Sequence, residues 1–197
     1  KKEELDFCYT VTDPLFLLSL GKNAHFSNAR FMGDFSLTLE KAQAAKCEYI
    51  AKMCNMREGS RVMDLGCGWG GMLRYFKTHY RVEETGVVFA KGQYEHCVET
   101  GLNVHYQDMR TVTPAHFGTF DAVTACGSFD HVLSYDEFLE GKEEEVYRRW
   151  FDTVADLLPI GGRHYMQTMT LGRKIIPRET WDITAPTDSD EFTMALM

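Results

Sequence analysis

An acid closing an apolar run, with glycines on alternate positions behind it, is the stretch of this chain best suited to chemistry: Asp64-Leu65-Gly66-Cys67-Gly68-Trp69-Gly70-Gly71. Glycines at Gly66, Gly68 and Gly70 let backbone N–H groups approach a ligand that any Cβ would hold away. A helical pattern opens near Met72, so the N-terminus of a helix faces the same point and favours a nucleotide-like ligand. Gly66, Gly68 and Gly71 also satisfy the G-x-G-x-x-G spacing of dinucleotide sites. A nicotinamide dinucleotide would want a further acid about 20 residues on for its ribose. Val87-Val88-Phe89-Ala90 offers none there. Further along, Asp130 and His131 stand side by side after an apolar run, and either could take a proton from a reacting group within hydrogen-bond reach.

The elements that must position these groups alternate between two periods. Short apolar runs predict strands at Arg61 to Leu65, Thr85 to Phe89, Val104 to Tyr106, Phe120 to Cys126 and Arg163 to Thr170. Helical spacing predicts an amphipathic helix from Leu37 to Met53, then helices from about Gly71 to Thr78 and over Lys91 to Glu99. A long helix is expected to run to Leu158, with Val146, Trp150, Phe151, Val154, Leu157 and Leu158 on one face and a solvated acidic start at Glu143-Glu144-Glu145. Near the N-terminus, Asp13 to Gly21 reads as a short apolar helix with Pro14 in its first turn. Lys22 to Phe35 reads as an ordered loop.

Strands alternating with helices define an α/β chain with a doubly wound, mostly parallel sheet, whose ligand lies beyond the strand carboxyl ends. After Thr170 the periodicity fades, and further C-terminal strands are not found. The expected organisation is an N-terminal helical lid over 1–55, a Rossmann-like core over 56–172 and the start of a truncated C-terminal substrate segment over 173–197. The chain has 197 residues, lacks an initial Met and carries a formal net charge of −8. That balance argues against a nucleic-acid partner and leaves peripheral membrane contact open. The six cysteines show no zinc-like spacing and read as reduced thiols of a cytoplasmic protein, with no metal expected.

Asp64-x-Gly66-x-Gly68-x-Gly70 resembles the first motif of class I S-adenosylmethionine-dependent methyltransferases. The fuller stretch to Gly71, with its Cys and Trp, resembles the cyclopropane-fatty-acyl-phospholipid synthase family, including the mycolic acid cyclopropane synthases. Ser36-Leu37-Thr38-Leu39-Glu40-Lys41-Ala42-Gln43, Phe26-Ser27-Asn28-Ala29-Arg30-Phe31, Gln107-Asp108, Phe129-Asp130-His131-Val132, Leu158 to Arg163 and Gln167-Thr168-Met169-Thr170 fall in register with that family's motifs. Coclaurine-type N-methyltransferases share much of this pattern, so the motifs bear on cofactor more than on substrate. The resemblance implies S-adenosylmethionine held by Asp64, Gly66, Gly68 and Gly70 at its methionine and ribose portion. Gln93 would contact it after the second strand, Asp108 would bond the adenine amino group, and Phe26 and Ser27 would cover it. Asp108 has a second reading as the cap of the turn into Met109-Arg110, and Phe26 a second reading as ordinary core.

In the synthases a Cys, a Glu and a His hold a bicarbonate that acts as base; the matching positions here are Asn28, Asp130 and Gln167. Asp130 keeps a carboxylate one methylene shorter, Asn28 keeps a backbone N–H, and Gln167 cannot titrate. The implied activity is transfer of a methyl or methylene carbon to the double bond of an unsaturated fatty-acyl chain, with Asp130 or His131 as direct base. Two alternatives stand beside it: methylation of a small metabolite, and a paralogue that binds the cofactor without turnover.

Overall fold

The computed structural model describes residues 2–169, 180, 182, 184–187 and 189. Among them, five strands form one parallel sheet: β1 (Arg61–Leu65), β2 (Glu83–Val88), β3 (Val104–Tyr106), β4 (Ala122–Cys126) and β5 (Arg163–Gln167). Their order is β3-β2-β1-β4-β5. The chain moves outward from β1 in one direction through β2 and β3, then returns to the other side of β1. The switch point therefore lies between β1 and β4, the place where an open α/β sheet leaves a crevice at its carboxyl edge. Asp64 sits at that edge, paired in register with Gly86 of β2 and Thr124 of β4.

The helices are α1 (Lys2–Ser19), α2 (Leu39–Met53), α3 (Gly71–Tyr80), α4 (Lys91–Glu99), α5 (Pro114–Phe117), α6 (Tyr135–Leu139) and α7 (Glu143–Asp156). One core packs Met63, Leu65, Phe120 and Val123 against Trp150 and Val154 of α7 and Leu157 just after it. On the other face, Ile50 and Ala51 of α2 meet Val62, Met72 and Phe76. β1 and β4 are buried almost throughout, as strands covered on both faces must be. That is why their sequences read as apolar runs.

One expectation needs correction. The N-terminal helix is 18 residues long, and Pro14 lies inside it rather than in its first turn. Interior proline removes one helical hydrogen bond, and the helix persists because its side chains are fastened elsewhere. Asp6 accepts the Lys91 N–H at 2.6 Å and the Tyr106 hydroxyl at 3.2 Å, while Asp13 accepts the Trp69 indole N–H. The long helix expected to run from its acidic start at Glu143 to Leu158 is α7, and a 3-10 turn at Phe129–His131 and then α6 lie between β4 and it. Ser134 and Glu137 form a reciprocal cap that starts α6, and Gly141 at φ 69° breaks the chain before α7. The expected segment 173–197 and the residue Thr170 lie largely or wholly outside the described residues. No helix of the described residues is long and apolar enough to cross a membrane.

Candidate active site

A cleft with about 790 Å³ of open space lies over the carboxyl ends of β1, β2 and β4. Its floor is the glycine loop. The N–H groups of Gly66 and Cys67 both turn back to the Val87 carbonyl, at 3.0 and 3.1 Å, which folds the loop against β2. Gly66 has φ 86°, and a Cβ there would stand 2.3 Å from the Ser128 Cβ. Only glycine permits that closeness. Gly68 differs: at φ 55°, an added Cβ would meet no heavy atom within 4 Å, so the space above it is open. Among the described residues, the N–H groups of Gly68 and Trp69 have no protein acceptor. Free donors at the mouth of α3 and an empty volume above them suit an anion or a polar ligand edge.

Asp64 lies under this loop, 2% exposed. Its Oδ1 accepts the Thr124 hydroxyl at 2.8 Å. Burial raises its carboxyl from the ordinary 3.8 to about 7, against the pull of the Thr124 bond and of Lys46. A carboxylate so poised gains most from a cationic ligand, because a partner charge in a dry site is poorly screened.

The roof comes from the N-terminal quarter of the chain. Tyr9 and Phe16 of α1, Phe26 of the following loop, and Trp69 form one aromatic cluster, with Phe16 and Phe26 centroids 5.1 Å apart and Phe16 and Trp69 5.5 Å apart. Gln43, buried on α2, holds that loop: its side-chain N–H groups donate to the Leu20 carbonyl at 2.9 Å and the His25 carbonyl at 3.4 Å, and its oxygen accepts from Asn23 at 3.1 Å. The loop then rests on the first residue of α3, where a Cβ at Gly71 would stand 2.2 Å from the Asn23 carbonyl oxygen.

The structure brings seven of the residues singled out from the sequence to the cleft wall: Asp64, Gly66, Gly68, Gln93, Phe26, Ser27 and His131. Gly70 is not on that wall; at φ 73° it caps α3 in the left-handed conformation. The Asp108 carboxylate accepts the Arg110 backbone N–H at 2.9 Å and pairs with its guanidinium at 3.2 Å, so it caps the turn at Met109–Thr111. Its neighbour Gln107 reaches the cleft instead. Asn28, Asp130 and Gln167 also stand off the wall. Asn28 and Asp130 are exposed. Asp130 accepts the Thr168 hydroxyl, and the Gln167 carbonyl takes the Gly127 N–H at 2.8 Å. These bonds tie the end of β5 to the segment after β4. Ser27 packs on Gly127 from the other side, which places the chain around all three positions at one rim.

Sequence reasoning missed Tyr9, His25, Lys46 and Ser128. Ser128 donates to the Leu65 carbonyl at 2.5 Å and closes the strand end. Tyr9 lies 3.4 Å from the His131 Nε2 through its hydroxyl. His25 is driven down to about 3 by burial, helped by Lys46 and Arg74. Lys46 gave one signal: it falls on the Ala42–Ile50 face of α2, the face that the structure buries.

This fold, with an acid and a glycine loop at the switch point of the sheet, is that of the class I methyltransferases. Residues 1–181 match the mycolic acid cyclopropane synthetase family, and the chain belongs to it. It is 34% identical over 106 residues to the cyclopropane-fatty-acyl-phospholipid synthase of Escherichia coli K12, covering 51% of this chain and 27% of that one. It is 27% identical over 175 residues to the S-adenosylmethionine-dependent methyltransferase UmaA of Mycobacterium tuberculosis, covering 85% and 56%. Among solved structures, the cyclopropane synthase MmaA2 of M. tuberculosis superposes with a TM-score of 0.67 at 24% identity, over 81% of this chain and 54% of that one. The [4+2]-cyclase SpnF superposes with 0.68 at 18% identity, over 84% and 59%. Both likenesses are of fold. The chain spans between a quarter and a little over half of the length of these curated relatives.

Proposed function

We propose that this chain carries the cofactor-binding part of an enzyme that transfers a one-carbon unit from S-adenosylmethionine to the double bond of an unsaturated fatty-acyl chain. The observation that carries the reading is the buried Asp64 carboxylate beneath an open, glycine-floored cleft with an aromatic roof. The cofactor, when bound, supplies a methyl carbon already activated on a sulfonium, so the protein's work is alignment and exclusion of water. Asp64 faces the cationic methionine end, with Gly66 and Gly68 giving the backbone its approach. Gln93 would contact the cofactor from the wall, and Gln107, beside the capping Asp108, would reach it where the family's acid bonds the adenine amino group. Phe26 and Ser27 close the cleft from the N-terminal loop.

Alkylation of a double bond leaves a cation on the neighbouring carbon, and ring closure then requires a base for a proton of the new methyl. His131 is the titratable group on the wall best placed to accept it, with the Tyr9 hydroxyl at its Nε2. Asp130 lies one residue away at the rim, along with Asn28 and Gln167. Their distance from the wall favours a second reading, in which the acceptor is a small metabolite or the cofactor is held without turnover.

The test uses the full-length protein, methyl-labelled S-adenosylmethionine and vesicles of unsaturated phospholipid. Label in the acyl chains by mass spectrometry supports the reading, and fragmentation separates ring from branch. Unlabelled chains alongside measured cofactor binding would turn the search to small nucleophiles.

A further inference from the structure

The reaction proposed above frees a proton inside a covered cleft, and that proton needs a way out. Among the described residues, the titratable side chains on the wall are Tyr9, His25, Asp64, Cys67, Cys126 and His131. Most of them are poor exits. Burial pushes the Cys126 thiol up to about 12 and holds Cys67 well above its ordinary value, so neither offers a thiolate. His25 is buried with its Nε2 3.6 Å from the Cys47 sulfur, and a proton placed on it would join the positive charges of Lys46 and Arg74. Asp64 lies under the glycine floor with the Thr124 hydroxyl on its Oδ1. We propose that Tyr9 and His131 together form the proton exit: the Tyr9 hydroxyl takes the proton freed in the cleft while passing its own to the His131 Nε2, and His131 gives one up to solvent. The inference deepens the function proposed above and rests on it.

The pair bridges two rims of the cleft. The Tyr9 hydroxyl of α1 stands 3.4 Å from the His131 Nε2, with the rings 6.3 Å apart and nearly perpendicular at 89°. Catalytic hydrogen bonds are often this long without substrate and tighten around it. Each partner is fixed from its own side. Tyr9 packs edge-on against Trp69 at 6.4 Å and Phe26 at 6.5 Å. The His131 backbone N–H donates to the Ser128 carbonyl at 3.0 Å, and the Ser128 hydroxyl donates to the end of β1 at Leu65. Exposure sets the direction of travel: Tyr9 is half-buried under the roof, whereas His131 is exposed to water. Nε2, the ring nitrogen farther from the backbone, accepts the Tyr9 hydroxyl, so the imidazole carries its proton on Nδ1. In the acyl reaction, the electron pair of a C–H bond of the new methyl closes the ring onto the cationic carbon. The proton goes to the Tyr9 oxygen as the hydroxyl proton moves to Nε2. The imidazolium then releases its Nδ1 proton to water, and exchange with water restores the Nδ1–H form.

The experiment compares full-length wild type, Y9F, H131A and the double variant on vesicles of unsaturated phospholipid with methyl-labelled S-adenosylmethionine. Y9F keeps the ring in its aromatic packing and removes only the hydroxyl. Each single variant is expected to lower kcat about 100-fold. KM, and the affinity for S-adenosylhomocysteine by calorimetry, should stay within about twofold of wild type. The double variant should fall no further than the worse single one, because steps in series are lost once. Imidazole added to the buffer should restore H131A about tenfold or more, since that end of the path opens to water, and leave Y9F unrestored. Independently, 15N spectra of the histidine side chains read His131, assigned through H131A, and Y9F should shift its Nε2 resonance and weaken the preference for the Nδ1–H form. Losses that multiply in the double variant, rescue of Y9F by imidazole, a defect carried by KM or affinity alone, or an Nε2 resonance that Y9F leaves in place would each overturn the relay. If H131A does not fold, Y9F decides through its kcat and the 15N spectra. A wild type that binds S-adenosylhomocysteine and labels no acyl chain overturns the acyl reading instead, while the 15N spectra still decide whether Tyr9 holds Nε2.

Discussion

Asp64→Asn separates the stability of this protein from its function. The carboxyl titrates near 7 in the folded protein and near 3.8 in the unfolded chain. Between those values the native state keeps a proton that the unfolded state releases, so stability falls as pH rises through the window. Above pH 7 the full cost of an ionised buried carboxylate is present, and below about pH 4 none of it is. The gap of about 3 pH units corresponds to about 4 kcal/mol. Asn cannot ionise, and its Oδ1 can still accept the Thr124 hydroxyl that Asp64 accepts at 2.8 Å. The stability of D64N relative to wild type should therefore grow by about 4 kcal/mol between pH 4 and pH 8. Urea unfolding followed by circular dichroism at half-unit pH steps measures this. Taking the difference between the two proteins cancels every other titrating group, His25 included. Over the same range D64N should lose its affinity for S-adenosylhomocysteine. A flat difference, or one that shrinks toward high pH, would show that Asp64 is not a destabilising charge kept for a ligand.

His25→Gln tests the opposite limb. Its imidazole stays neutral down to about 3, so the unfolded chain binds a proton first and stability is lost as pH falls below about 6.5. H25Q should gain about 3 kcal/mol on wild type between pH 6.5 and pH 4 in the same unfolding series. Gly66→Ala meets both a left-handed backbone and the Ser128 Cβ at 2.3 Å, and should cost about 2–4 kcal/mol of stability. Gly68→Ala has open space. It should cost only about 1–2 kcal/mol in unfolding yet weaken S-adenosylhomocysteine by calorimetry about tenfold or more, since the methyl group enters the cleft. Gln43→Leu strands Asn23 and two carbonyls under the lid loop. It should cost about 2–4 kcal/mol and open 22–36 to limited proteolysis.

Where one local pattern decides a structure, the sequence is easy to read. β1 and β3 begin and end where their apolar runs do, and α4 spans Lys91 to Glu99 as its spacing requires. The glycine loop is legible because close approach leaves glycine no substitute. Tertiary partners explain the misreadings. Pro14 looks like a helix start because proline weakens any helix interior, and only the bonds from Asp6 and Asp13 to distant residues let α1 continue through it. On α2 the apolar count favours Met53, which the structure leaves 46% exposed, and passes over Gln43 and Lys46, which it buries. Polar residues at buried positions follow the same helical period as apolar ones, and their partners lie on other elements.

Pro14 also divides the covering helix. Its missing N–H removes a rung near the middle of α1. On one side Asp6 is moored to α4 and β3, and on the other Asp13 and Phe16 are moored to Trp69. The two halves hang on different parts of the cleft, one over the strand that leads to Gln107 and the other over the glycine floor. The cover of the cleft therefore hangs on two separate sets of bonds, and a change that cuts one set leaves the other in place.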